Sequence, residues 1–193
     1  MTGARADIAI LGGGLAGGLI ALAVRRADPS LSVVLVEAGE MLGGNHRWSW
    51  FESDLNNDGQ ALLAPIRKIH WPVGYDVHFP EHSRRLESTY VSLSSTDFDA
   101  ALRRELAQST IHTGRKVASV DARGATLEGG KRIEARCVID ARGYIPSDAF
   151  EGGWQVFMGR HLRTHAPHDV DRPIVMDAKV AQHDAFRFVY TLP

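Results

Sequence analysis

The feature that most constrains this chain lies near its amino end, where a glycine-rich turn stands between two short apolar runs. Asp7-Ile-Ala-Ile-Leu11 has the length and composition of a buried strand, and Ser32-Val-Val-Leu-Val36 is a second, β-branched run ending in Glu37. Between them, Gly12-x-Gly14-x-x-Gly17 reads as a turn opening a helix from about Gly14 to Arg26. Asp28-Pro29-Ser30 stops that helix, because proline keeps the residue before it out of helical geometry. In such a pattern the first glycine permits a tight turn, the second lets backbone approach a diphosphate, and the third lets helix and strand pack closely. The N–H groups of Leu15, Ala16 and Gly17 and the positive end of the helix dipole would then hold the phosphates. Glu37 stands 20 residues past Gly17, the offset at which a carboxylate reaches the ribose hydroxyls and repels a 2′-phosphate. FAD and NAD both satisfy that requirement.

The same segment has a competing reading as a targeting signal. No residue from Ile8 to Val24 is charged, and Ala21-Leu22-Ala23 resembles a small-residue cleavage site. Five glycines in the run argue against an apolar helix, since each costs about 0.5–1 kcal/mol relative to alanine inside one. A strand, turn and helix account for it better. Composition narrows the remaining classes. With 22 Lys+Arg against 23 Asp+Glu over 193 residues, the formal charge is −1, and no basic stripe of the kind a nucleic acid requires is present. Hydrophobic residues at 44% and charged residues at 23% are typical of a folded globular domain, or one domain plus part of another. A single cysteine, Cys137, excludes an internal disulfide and points to a reducing, cytoplasmic setting; its apolar neighbours predict a buried strand.

Later segments decide between the dinucleotides. Gly43-Gly44, just after the acid, matches the second glycine turn that many FAD enzymes of the glutathione-reductase type carry. Arg136-Cys-Val-Ile-Asp140-Ala-Arg-Gly143 is a further strand ending in acid and glycine, similar to the strand that returns to the cradle in that class. Ser94-Ser-Thr-Asp97 offers helix caps before an amphipathic stretch from Phe98 to Gln108, with Phe98, Leu102 and Leu106 four residues apart. Ile111 to Val120 alternates as a strand that would place Val117 backbone beside the adenine, and a hairpin turns at Gly129-Gly130. The layout predicts an α/β, Rossmann-like FAD-binding domain of glutathione-reductase type with a partial antiparallel β-sheet substrate domain. The boundaries are 5–70 with 93–146 for the first, and 71–92 with 147–193 for the second.

Gly43-Gly-Asn-His46-Arg-Trp48-Ser-Trp50 resembles the G-G-N-H-x-W-S-F motif of the bacterial lycopene β-cyclase family. Trp71-Pro-Val-Gly-Tyr75-Asp-Val-His-Phe79-Pro80, Val138-Ile-Asp-Ala-Arg-Gly-Tyr144 and Gly153-Trp154-Gln-Val-Phe-Met-Gly159 are similar to its later blocks in the same order. Pro173-Ile-Val-Met-Asp177 and Phe186-Arg-Phe-Val-Tyr-Thr-Leu-Pro193 extend the match to the end of the chain. Arg47 and Trp50 are mild departures from the motif.

The resemblance implies cyclisation of the ψ ends of lycopene, or other acyclic carotenoids, to β-ionone rings without net redox change, giving β-carotene. Its cofactors would be reduced FAD with NADPH or NADH as reductant. A proton on the terminal double bond makes a tertiary cation that the neighbouring double bond attacks; water must be kept out. Aromatic faces stabilise such a cation by about 0.5–2 kcal/mol each, which makes Trp48 and Trp50, with His46 beside them, the site candidates. The cofactor set is Gly12, Gly14, Leu15, Ala16, Gly17, Glu37, Gly43, Gly44, Val117, Asp140 and Gly143. The family's acidic motif follows the segment at which this chain stops, so the expectation is an incomplete piece whose general acid lies beyond Pro193. An insoluble substrate implies a peripheral site on the inner face of the membrane, without a spanning helix. No metal is expected: Pro167 breaks the helix that His161, His165 and His168 would need, and no Cys, Asp or Glu completes the set. A related FAD monooxygenase, a geranylgeranyl-type reductase and a non-catalytic dinucleotide-binding piece are the alternative readings.

Overall fold

A computed structural model describes residues 4–144, 148–153 and 155–193; Trp154, part of one family-like block, lies outside them. The chain divides into two compact units. The first runs to His70 and resumes at Thr89–Gly143; the second consists of Trp71–Ser88 and the stretch from Tyr144 onward.

In chain order the first unit contributes β1 (Ala4–Leu11), α1 (Leu15–Ala27), β2 (Val33–Val36), β3 (Arg47–Phe51), α2 (Asn57–Leu63) and β4 (Ile69–Trp71), which ends on the first residue of the second unit. The second unit then supplies β5 (Tyr75–Phe79) and β6 (His82–Leu86). The first resumes with β7 (Tyr90–Ser94), α3 (Ser95–Glu105), β8 (Ile111–His112), β9 (Val117–Asp121), β10 (Gly124–Leu127) and β11 (Arg132–Asp140), and the second ends with β12 (Ile174–Asp177) and β13 (Val189–Thr191).

The uncharged run at the amino end is thus strand, turn and helix. β1 lies at the centre of a six-stranded sheet of order β8-β2-β1-β11-β10-β9. It is parallel to β2 and to β11, with Leu11 beside Val36 on one side and Asp140 on the other. The carboxyl ends of the three strands therefore coincide, and in parallel sheets ligands bind outside that edge. Ile10 and Leu35 face α1 and α3 in a cluster with Leu22, Leu42, Phe98 and Leu102. Ala9, Leu11, Val34 and Val36 face the other way, toward Ala125, Leu127 and Ile133. Phe98, Leu102 and Leu106 are all buried, as their spacing predicts. The α3 helix starts where Ser94 Oγ accepts from Asp97 N at 3.1 Å and donates to the Asp97 carboxylate at 2.6 Å, a cap that contributes about 1 kcal/mol.

Four expectations change. Ile111–Val120 is not one strand: β8 pairs with β2, and the chain then turns at Gly114 (φ +63°) and crosses to the opposite edge, where Val117 opens β9. The sequence assigns residues up to 92 to the second unit, whereas β7 pairs antiparallel along the whole of β3, from Arg47–Ser94 to Phe51–Tyr90, which moves the boundary to Ser88. Cys137 is exposed; of β11, only Ile133 is fully packed under the core. The second unit's sheet, β13-β12-β5-β6, is mixed, not antiparallel throughout: β5–β6 and β12–β13 are antiparallel, but β12 runs parallel to β5. The tight Pro80-Glu81 turn dictates the first pairing, while the long connection from β6 to β12 leaves direction free.

Candidate functional site: a nucleotide cradle

Gly12 takes φ +105°, and a Cβ there would meet the Ala141 carbonyl at the end of β11. The turn can pass so close to the returning strand only as glycine. Gly12 N donates to Val36 O at 2.8 Å and Ala141 N to Leu11 O at 2.7 Å, which locks the turn between the ends of β2 and β11. Gly14 caps α1 without any side-chain hydrogen bond and has open space in front of it. The helical ladder begins with Gly18 N donating to Gly14 O at 2.9 Å, so the N–H groups of Leu15, Ala16 and Gly17 lie outside it. A Cβ on Gly17 would strike the Gly12 carbonyl, so the third glycine serves the turn itself as much as helix–strand packing.

Glu37 follows β2 directly. Its Oε2 accepts from Gly13 N at 2.7 Å and its Oε1 from Gly39 N at 2.8 Å. A carboxylate offers about four acceptor positions, so two remain for ribose hydroxyls. The backbone alongside the acid is Gly114–Arg115: Arg115 N donates to Glu37 O at 2.9 Å and Gly114 N to Gly39 O at 2.8 Å. Val117, two residues on, instead packs against the Leu11–Val36 face of the sheet.

Gly43 and Gly44, both with positive φ (+78° and +61°), form the second turn, and Gly43 N donates to Gly13 O at 2.8 Å. Two glycine turns distant in sequence are thus one hydrogen-bonded structure. A Cβ on Gly43 would stand 3.0 Å from Trp48 and 3.2 Å from Phe98, which leaves the indole resting on the turn. Trp48 meets Phe98 edge-on with centroids 5.4 Å apart, and the exposed His46 ring lies 5.9 Å from Trp48. Trp48 and Trp50, on one face of β3, both pack against the α1–α3 core. Asp140 closes the far side, gripped in two-pronged fashion by Arg142 at 2.7 and 2.8 Å, and that hydrogen-bonded pairing holds its carboxyl below the usual range. Gly143, with φ +87°, follows.

A dinucleotide fits these residues: free helix N–H groups, open space before Gly14, and an acid at a neighbouring strand end. Of the predicted set, all but Val117 gather around the carboxyl edge of β1, β2 and β11. Gly13, Leu42, Asp99, Gly114 and Arg142 belong there too, although no local sequence pattern marks them. Among the described residues, no three His, Cys, Asp or Glu side chains come together as a metal site needs.

A family model described as lycopene cyclase protein matches residues 7–193. The chain belongs to the lycopene cyclase family. Curated lycopene beta-cyclases from Pseudescherichia vulneris and from a Paracoccus strain are each 44% identical to it over 187 residues, and one from Pantoea ananas is 40% identical. In each case the match takes in 97% of this chain and 48% of the relative, so the chain spans about half the length of the curated cyclases. Among solved structures, a 2-methyl-3-hydroxypyridine-5-carboxylic acid oxygenase is similar over 72% of this chain and 39% of its own (TM-score 0.54, 19% identity). A p-nitrophenol 4-monooxygenase from Pseudomonas putida is similar over 74% of this chain and 42% of its own (TM-score 0.53, 19% identity). The likeness places this lycopene cyclase family member in an α/β, Rossmann-like fold shared with oxygenases of that kind.

Proposed function

We propose that this chain forms the FAD-binding portion, with part of the substrate domain, of a lycopene β-cyclase. Family membership supports the reaction, and the tie between Gly43 and Gly13 is the observation that carries the cofactor reading. It fuses the diphosphate turn with the segment bearing His46, Trp48 and Trp50, so whatever binds the first is presented to the second. Reduced FAD, recharged by NADPH or NADH, would supply negative charge beside a carbocation. Gly12–Gly17 would hold its diphosphate, Glu37 its ribose, and Gly43-Gly44 with Asp140–Gly143 the adjoining stretch. Trp48 and Trp50 would form an apolar wall that keeps water out, with the His46 ring, 5.9 Å from Trp48, as the polar group beside it.

Lycopene does not dissolve in water, which calls for a peripheral site on the inner membrane face. No helix among the described residues is long and apolar enough to cross a membrane. In the second unit, Val156, Phe157, Met158 and Leu162 are 80–90% exposed, and Arg160 and Arg163 are the only formally charged residues from Gly152 to His168. An apolar run carrying basic charge suits an anionic lipid surface. Replacing Val156, Phe157 and Met158 by serine is expected to reduce flotation with anionic vesicles; unchanged flotation refutes that placement.

The test of the whole reading is expression of the full-length frame in lycopene-accumulating cells, with flavin absorbance measured on the purified protein. Cyclisation leaves product mass equal to that of lycopene. Added oxygen would instead indicate a monooxygenase, added hydrogen a reductase, and a flavin-binding protein without product a non-catalytic role.

A further inference from the structure

The α3 helix reaches back to the segment between the two glycine turns through a half-buried ion pair. Asp99 is only 8% exposed. Its Oδ1 accepts from Leu42 N at 2.8 Å, and Arg103, one turn later, donates from Nε to Oδ2 at 2.9 Å. The same guanidinium donates from Nη2 to Glu40 O at 3.1 Å, so both ends of the Glu40–Leu42 segment are held. Leu42 is fully buried, and its Cδ2 occupies the place that a Cβ on Gly13 would take. The next residue, Gly43, donates to Gly13 O. Any shift of Leu42 is therefore a shift of Gly13 and of the turn that faces the diphosphate.

We infer that Asp99 and Arg103 are positioning residues for the nucleotide cradle, setting nucleotide affinity without touching the ligand. This rests on the nucleotide reading above. Replacing Asp99 alone leaves the Arg103 guanidinium without its carboxylate, a loss eased by that side chain's partial exposure to water. Here the exchange also removes the acceptor of a buried amide, and the segment must move to regain one.

The test compares the 193-residue chain with Asp99→Leu and Asp99→Asn by ADP titration calorimetry, thermal midpoint and amide hydrogen exchange. Asp99→Leu is expected to stay folded, to weaken ADP binding about tenfold, and to speed exchange selectively at residues 12–14 and 40–44. Asp99→Asn, which keeps an oxygen for Leu42 N, should stay within about threefold of the parent. Unchanged ADP affinity in folded Asp99→Leu overturns the inference, as does faster exchange spread evenly over the first unit. If Asp99→Leu does not fold, Arg103→Gln replaces it: about threefold weaker binding supports the inference and parental binding overturns it. A parent chain that binds no ADP refutes the nucleotide reading instead. The positioning role then rests on exchange, supported by local acceleration in Asp99→Leu and overturned by its absence.

Discussion

Replacing Gly18 by alanine sets two opposed effects against each other, and their balance can be worked from the structure. In an exposed helix the change would stabilise by about 1 kcal/mol. At Gly18 a Cβ would stand 2.5 Å from Phe98 Cζ, 2.8 Å from Phe98 Cε1 and 2.6 Å from Leu102 Cδ1. Phe98 is fully buried and cannot swing away, since its other edge rests on Trp48 and on the Gly43 turn. Overpacking of this kind costs about 1–3 kcal/mol, so Gly18→Ala should be destabilising on balance, by about 1 kcal/mol. The decisive comparison is Gly18→Ala in a Phe98→Leu background, where the ring tip is gone. There the clash with Phe98 disappears, only the approach to the Leu102 methyl remains, and the substitution costs less. Chemical denaturation of all four proteins gives the coupling, expected at about 1–2 kcal/mol. An identical effect of Gly18→Ala in both backgrounds would mean that the Phe98 ring does not meet α1 at this point, and the packing argument fails.

Glu37→Gln exchanges a charged acceptor of the Gly13 and Gly39 amides for a neutral one, and should weaken ADP binding about tenfold by calorimetry; parental affinity would remove the acid from the cradle. Asp7 is held at a pKa of about 2, chiefly by hydrogen bonds from the Ser32 hydroxyl and amide, with Arg136 adding to them. A depressed carboxylate contributes stability above its unfolded value of about 4. That contribution is lost as pH falls toward 2, so Asp7→Asn should flatten the acid limb of the stability profile over that window. Cys137 should react with a thiol reagent at full stoichiometry in native buffer; protection until denaturant is added would contradict its exposure.

Legibility of the fold followed the range of the interactions. The strand–turn–helix–strand–acid unit is written in contiguous residues, and each glycine and the Glu37 carboxylate lie where that local grammar puts them. α3 was equally open, because Ser94, Phe98, Leu102 and Leu106 carry cap and period together. What escaped depends on partners remote in the chain. Nothing near Tyr90–Ser94 announces that it pairs with Arg47–Phe51. An apolar, alternating stretch from Ile111 to Val120 does not reveal that Gly114 and Arg115 leave the strand to bond to Gly39 and Glu37. Asp99 and Arg103 look like an ordinary pair one helical turn apart; that both reach Glu40 and Leu42 depends on the tertiary fold. The aromatic motif stands out only by its resemblance to the family's, while its packing on Phe98 and Gly43 follows from how α3 sits under β3.

The central strand also has a temporal consequence. Of its two neighbours, β2 follows after about twenty residues, but β11 arrives only with Arg132–Asp140. During synthesis the apolar flank of Ala4–Leu11 must wait, unpaired on that side, until some 130 residues have left the ribosome. Meanwhile it offers an open edge to any other nascent chain. Expression yield should accordingly respond to chaperone supply and growth temperature more than the finished molecule's stability would suggest.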